Sequence, residues 1–111
     1  MPGRRPRADN RSMVRNLVHL RALAGRRDEI LALIDRDGLR ALLDEHGLLR
    51  LDVAESVDQP DDLLLIGEWA SREHLERWAA GPFPGQLLDR IAELVVDEPV
   101  QSVYHVVETI T

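Results

Sequence analysis

The sequence predicts one α+β domain, a four-stranded antiparallel sheet with helices packed on one face, and three observations carry that prediction. A chain of 111 residues, 44% of them hydrophobic, supplies one core and is too short for two. Apolar residues recur with strand and helix periods in the order β-α-β-β-α-β, with a helical insert before the last strand. The third strand is apolar on both faces, so the sheet face left open by the helices must also be covered.

The first strand is V-R-N-L-V-H-L-R, Val14 to Arg21, with Val14, Asn16, Val18 and Leu20 on one face and Arg15, Leu17, His19 and Arg21 on the other. Ala24-Gly25 then opens a segment reaching His46, in which Ile30, Leu31, Ile34, Ala41 and Leu42 fall broadly at helical spacing. A long helix is expected here, weakened or bent near Gly38 and stopped by Gly47. Leu48 to Glu55 alternates Leu49, Leu51 and Val53 against Arg50, Asp52 and Ala54, a second strand. Asp58-Gln59-Pro60-Asp61-Asp62 reads as the turn of a hairpin. The third strand, Leu63 to Trp69, sends Leu63, Leu65 and Trp69 to one face and Leu64 and Ile66 to the other.

Ser71 is placed as the N-cap of a second helix, with Leu75, Trp78 and Ala79 on one face and an end near Ala80. Gly81-Pro82-Phe83-Pro84-Gly85 is read as a break, after which Leu87, Leu88, Ile91, Leu94 and Val95 resume helical periodicity. Val100 to Val107 closes the chain as the fourth strand. This order is the ferredoxin-like split β-α-β arrangement, whose helices cover one sheet face only. A second copy of the sheet is the economical cover for the other face, so a homodimer is expected.

Composition narrows the function classes. A net charge of −6 opposes phosphate-backbone binding and excludes nucleic acid as a partner of the folded body. Arg4, Arg5, Arg7 and Arg11 stand among Pro2, Gly3, Pro6, Asp9, Asn10 and Ser12, so residues 1–12 read as a disordered basic leader before a domain over residues 13–111. The absence of cysteine removes disulfides and thiolate chemistry and suits the cytoplasm. Apolar runs such as Leu63 to Ile66 are far shorter than the ~20 residues of a membrane span. His19, His46, His74 and His105 are too scattered for metal-ligand spacing, and no phosphate loop, nucleophile elbow or dinucleotide fingerprint occurs. No metal and no cofactor is expected.

Several residues together carry a family resemblance: Asn16 on strand one, the Gly47-Leu48-Leu49 restart, Glu68-Trp69-Ala70-Ser71 leading from strand into helix, and the Phe83 to Leu88 insert. Over roughly Met13 to Glu108 the chain resembles the antibiotic biosynthesis monooxygenases, which are dimeric α+β barrels. The resemblance implies a cleft between sheet and helices. It also implies chemistry without flavin, haem or metal, in which a deprotonated phenolic polyketide, often an anthrone, reduces dioxygen and becomes a quinone. Other relatives degrade haem, isomerise small metabolites or cyclise polyketides, so a cyclase, an isomerase or a non-catalytic binding dimer are the alternatives.

Carried over by position, Asn16 matches the first-strand asparagine of the oxygenase cleft and Trp69 its third-strand tryptophan. An amide there can donate to a substrate oxyanion, and an indole offers an apolar wall with one N–H. The histidine that haem degraders carry in the insert is missing from Pro84 to Leu88, which argues against haem degradation. Leu65 stands where quinone-forming relatives often carry a second asparagine, and Arg90 is the nearest candidate for an arginine late in the insert. Trp78 and Phe83 are candidates for the cleft mouth, with Gly81 to Gly85 as a possible lid. Of Tyr104 and His105 only one can face the cleft, and His19 faces away from Asn16, which leaves no clear general base.

Overall fold

The computed structural model describes residues 13–36 and 47–111, with side chains for all of them except 35–36 and 82–85. The leader and the part of the first helix expected beyond Arg36 lie outside the described residues. The elements are β1 (Val14–Arg21), α1 (Arg27–Arg36), β2 (Leu48–Glu55), β3 (Asp62–Trp69), α2 (Arg72–Ala79), α3 (Pro82–Ala92) and β4 (Val100–His105). The four strands form one antiparallel sheet in the order β2-β3-β1-β4. This is the α+β, ferredoxin-like architecture that the alternation of the strands predicts.

The register fixes which residues share a face. Asn16 pairs with Gly67, Val14 with Trp69 and Val18 with Leu65 on β3, while on the other side of β1 Asn16 pairs with Val103 and Val18 with Gln101. The face bearing Val14, Val18, Leu20, Leu63 and Trp69 packs on Ile30 and Ile34 of α1, Leu75 of α2, and Leu87 and Ile91 of α3, and this is the buried core. Segment 94–96 lies against the end of β1, where the Leu23 N–H donates to the Leu94 carbonyl and the Val96 N–H to the Arg21 carbonyl, each at 2.8 Å. Among the described residues no helix is long and apolar enough to cross a membrane.

Five features differ from the sequence expectation. A turn with Gly25 at φ +79° precedes α1, which therefore begins at Arg27 and not at Ala24. A bulge between Leu48 and Arg50 shifts the start of β2 by one residue, so Leu48 enters the core at 3% exposure and Leu49 stands out at 51%. The expected break at Gly81 to Gly85 is the start of α3, because proline in the first turn needs no N–H partner there. That helix ends at Ala92, before Leu94 and Val95, and β4 ends at His105, before Val107.

The opposite face carries no helix. Leu17, Leu64 and Ile66 are half-buried there, and Tyr104 is 59% exposed. Ion pairs flank this apolar stripe: Arg15 with Glu68 at 3.0 Å, and Arg21 with Asp62 at 2.9 Å. The hydrogen bond to the Asp62 carboxylate, with the attraction of its charge, raises the Arg21 guanidinium above its ordinary range.

Candidate active site

A cavity of about 250 Å³ opens between the helix-covered sheet face and helices α2 and α3. Its walls are mostly aliphatic, including Leu65 from β3, Leu75 from α2 and Ile91 from α3. Among the described residues no charged side chain lines it; its polar groups are the amides of Asn16 and Gln101 and the indoles of Trp69 and Trp78.

Asn16 and Trp69 meet because β1 and β3 are paired with Gly67 between them. The Trp69 indole N–H donates to Asn16 Oδ1 at 2.8 Å. A methyl group at Gly67 would run into that oxygen and come within 3.0 Å of Trp69 Nε1, so the strand needs glycine here for room, not for its backbone angles. The contact also orients the amide. An indole N–H can only donate, so the side-chain oxygen must face Trp69 and the NH2 group must face away from it. Among the described residues that NH2 group has no acceptor, and Asn16 borders the cavity. The result is a pre-oriented donor at the polar corner of an apolar pocket.

The turn after Trp69 sets the other wall. Ser71 Oγ accepts from the His74 backbone N–H at 3.2 Å and lies 2.6 Å from His74 Nδ1, capping α2 two residues after the strand ends. The His74 ring packs on Gly47, which takes φ +79°. With its start fixed in this way, α2 lays Trp78 beside Trp69, ring centroids 5.3 Å apart and planes tilted by 37°. The glutamate, tryptophan and serine of E-W-A-S thus face three different tasks: Glu68 an ion pair on the open face, Trp69 the asparagine, Ser71 the helix cap.

Residues 13–82 match the family model for antibiotic biosynthesis monooxygenases, well over half of the chain. The chain belongs to that family. Among solved structures it is similar to a candidate antibiotic biosynthesis monooxygenase from Deinococcus radiodurans, at 25% identity and a TM-score of 0.77, covering 88% of this chain and 96% of that one. A conserved protein of Methanosarcina mazei Go1 matches at 15% identity and a TM-score of 0.79, over 88% and 96% of the two chains. A mutant of SnoaB, a cofactor-independent oxygenase from Streptomyces nogalater, matches at 14% identity and a TM-score of 0.75, again over 88% and 96%. The last two likenesses show a shared fold. No curated protein matches the sequence.

For a monooxygenase-family chain, the structure brings together some of the residues expected at the site and separates others. Asn16, Leu65, Trp69 and Trp78 line the cavity. Trp69 is placed differently from the donor role open to it in the sequence: it is 2% exposed and its N–H is held by Asn16. Tyr104 pairs with Arg15 and so lies on the open face, while His105 shares the Asn16 side but is exposed at the strand end opposite Val14. Neither lines the cavity, and neither does Arg90, which is exposed on α3 while Leu87, Leu88 and Ile91 of the same helix face inward. The Phe83 side chain lies outside the described residues, and the lid imagined over Gly81 to Gly85 is helical from Pro82. His19 is on the open face, 3.9 Å from Asp62. Among the described residues no group of histidines and carboxylates is arranged to hold a metal.

The sequence reading did not place Gly67, Gln101 or the aliphatic walls from β1, β2, α2 and α3 at the site. Parity in β4 puts residues 101, 103 and 105 on the Asn16 side, but only the register Val18 to Gln101 brings the glutamine to the cavity.

Proposed function

We propose that this protein is a cofactor-independent monooxygenase that oxidises a flat phenolic substrate, an aromatic polyketide of the anthrone type, to a quinone. The observation that carries the reading is the amide of Asn16, oriented by Trp69 so that its NH2 group, at the edge of an apolar cavity, has no acceptor among the described residues.

In this reaction the substrate is its own reductant. Loss of a proton gives a delocalised oxyanion, which transfers electrons to dioxygen; the methylene carbon loses two hydrogens and gains one oxygen atom, and the second oxygen atom leaves in water. The protein has two tasks. The aliphatic walls exclude water around the anion and the dioxygen, so fixed dipoles act at low dielectric. Asn16 Nδ2 donates to the developing oxyanion, a contact whose loss in other enzymes costs ~2.7–4 kcal/mol of barrier. Family membership supports the reaction class, and the aliphatic lining supports a flat, uncharged substrate.

The half-buried stripe of Leu17, Leu64 and Ile66 on the open face supports a homodimer built sheet to sheet. The test of the function compares turnover of anthrone and of a naphthol in air and under argon, following quinone absorbance. Oxygen-dependent quinone formation is expected. Loss of substrate without quinone, unchanged under argon, would make the protein a cyclase or isomerase, and inertness in both gases would make it a binding protein.

A further inference from the structure

Trp78 holds a polar atom for which the folded chain has no use. Its indole Nε1 is buried, and among the described residues it has no hydrogen-bond partner. No other buried side-chain donor or acceptor among the described residues is left in that state. An N–H without an acceptor in a low-dielectric interior is an uncommon feature of folded proteins and costs roughly 5- to 150-fold in an equilibrium constant. A phenylalanine would fill an apolar wall here without that penalty. The residue also borders the cavity, on the helix that faces Asn16 and Trp69. The two tryptophans differ in this respect, since the N–H of Trp69 is already held by Asn16.

We propose that Trp78 is a specificity-determining donor of the site, which turns within the wall it forms to meet an oxygen atom of the bound ligand. The proposal rests on the cavity being the ligand site, as in the function proposed above, and it adds the ligand's chemical class. Asn16 Nδ2 and Trp78 Nε1 both donate, the other lining is apolar apart from Gln101 and the Trp69 N–H already held by Asn16, and no charged side chain among the described residues stands ready to pair with a carboxylate or phosphate. The ligand is therefore an uncharged or delocalised flat molecule with two acceptor oxygens, one for each donor. A volume of about 250 Å³ lies just under the range of drug-sized sites, ~300–1,000 Å³, which favours a ligand of two or three fused rings over a larger one.

The experiment measures binding, not turnover, by titration calorimetry with 1,4-naphthoquinone and with naphthalene, which has the same rings and no oxygen. The quinone is a usable probe because the sequence has neither cysteine nor lysine for it to alkylate. The native protein should bind the quinone more tightly. Trp78→Phe keeps an aromatic wall and removes the N–H, so it should weaken quinone binding by roughly 2- to 12-fold, the value of one net hydrogen bond, and leave naphthalene unchanged. Equal losses for both probes, or none for either, would assign Trp78 to packing and overturn the proposal. Native protein that does not prefer the quinone would also overturn it while leaving the cavity as a binding site. If neither probe binds the native protein, the ligand-site reading fails together with this one.

Discussion

Removing a single N–H from Trp69 separates two roles that the site combines. The indole ring lines the cavity, but its N–H is not free for substrate; it is given to Asn16, whose oxygen it holds at 2.8 Å, so the N–H acts through the asparagine. Trp69→Phe leaves the asparagine in place but frees its amide to rotate. With the lock gone, the orientation that presents NH2 to the cavity is favoured less by about one net hydrogen bond, ~0.5–1.5 kcal/mol, so kcat should fall roughly 2- to 12-fold. Asn16→Ala removes the donor itself and should lower kcat about 100- to 1,000-fold. The expected result is thus a graded pair, with the asparagine variant at least about tenfold more damaged than the tryptophan variant.

The two variants also differ in stability, which serves as the control. Asn16→Ala leaves the Trp69 N–H buried without an acceptor, at a cost of ~1–3 kcal/mol, and each kcal/mol lowers the melting temperature of a domain this size by about 4–8 °C. Trp69→Phe leaves the Asn16 oxygen without its donor, but that side chain borders the cavity and water can reach it. Its stability loss comes from the smaller ring in the core. Steady-state kinetics with anthrone in air-saturated buffer, at a temperature well below both melting points, keeps unfolding out of the comparison. If Trp69→Phe loses as much activity as Asn16→Ala, the indole N–H acts on substrate and the positioning role is wrong. If it loses none, the amide needs no lock.

Gly67→Ala places a methyl group against Asn16 Oδ1 and should break the Asn16–Trp69 hydrogen bond with both residues still present; a loss of ~1–3 kcal/mol in urea unfolding is expected, and native stability would show that the pair has room to give. Ser71→Ala removes the cap of α2 and should cost ~1 kcal/mol by the same measurement, with a fall in activity because that helix carries Trp78. Light scattering should give a mass near twice the 12.6 kDa of the chain, and Ile66→Arg, which puts a third cation on the open face between the Arg15–Glu68 and Arg50–Asp52 ion pairs and would bury it in a sheet-to-sheet interface, should return it to the single-chain value. A native protein that stays at the single-chain mass on concentration would end the sheet-to-sheet reading.

How much of this was legible in the sequence depends on whether one chain segment or two had to be known. Alternation within β1 is a property of one segment, so Asn16 stood out as the polar residue on an apolar face, and the same parity put His19 on the other side. Where the pattern was ambiguous within a segment, the reading slipped. Leu48 and Leu49 are both apolar, so nothing in the composition reveals that a bulge turns the first inward and the second outward. Pro82 and Pro84 mark a helix break and a helix start equally well, and only the observed first turn decides between them.

Facts that belong to two segments were out of reach. Gly67 looks like a weak strand residue until β1 is seen beside it, with Asn16 as its partner across the pair. Gln101 is one polar residue in an exposed strand until the register brings it to the cavity rim. The asparagine, the tryptophan and the glycine then cease to be three observations. Any residue larger than glycine at position 67 pushes the amide away from the indole, and an amide without the indole has no fixed orientation. The unit a sequence search should seek in such chains is therefore the trio: a polar amide on the first strand, a tryptophan ending the third, and a glycine two residues before that tryptophan.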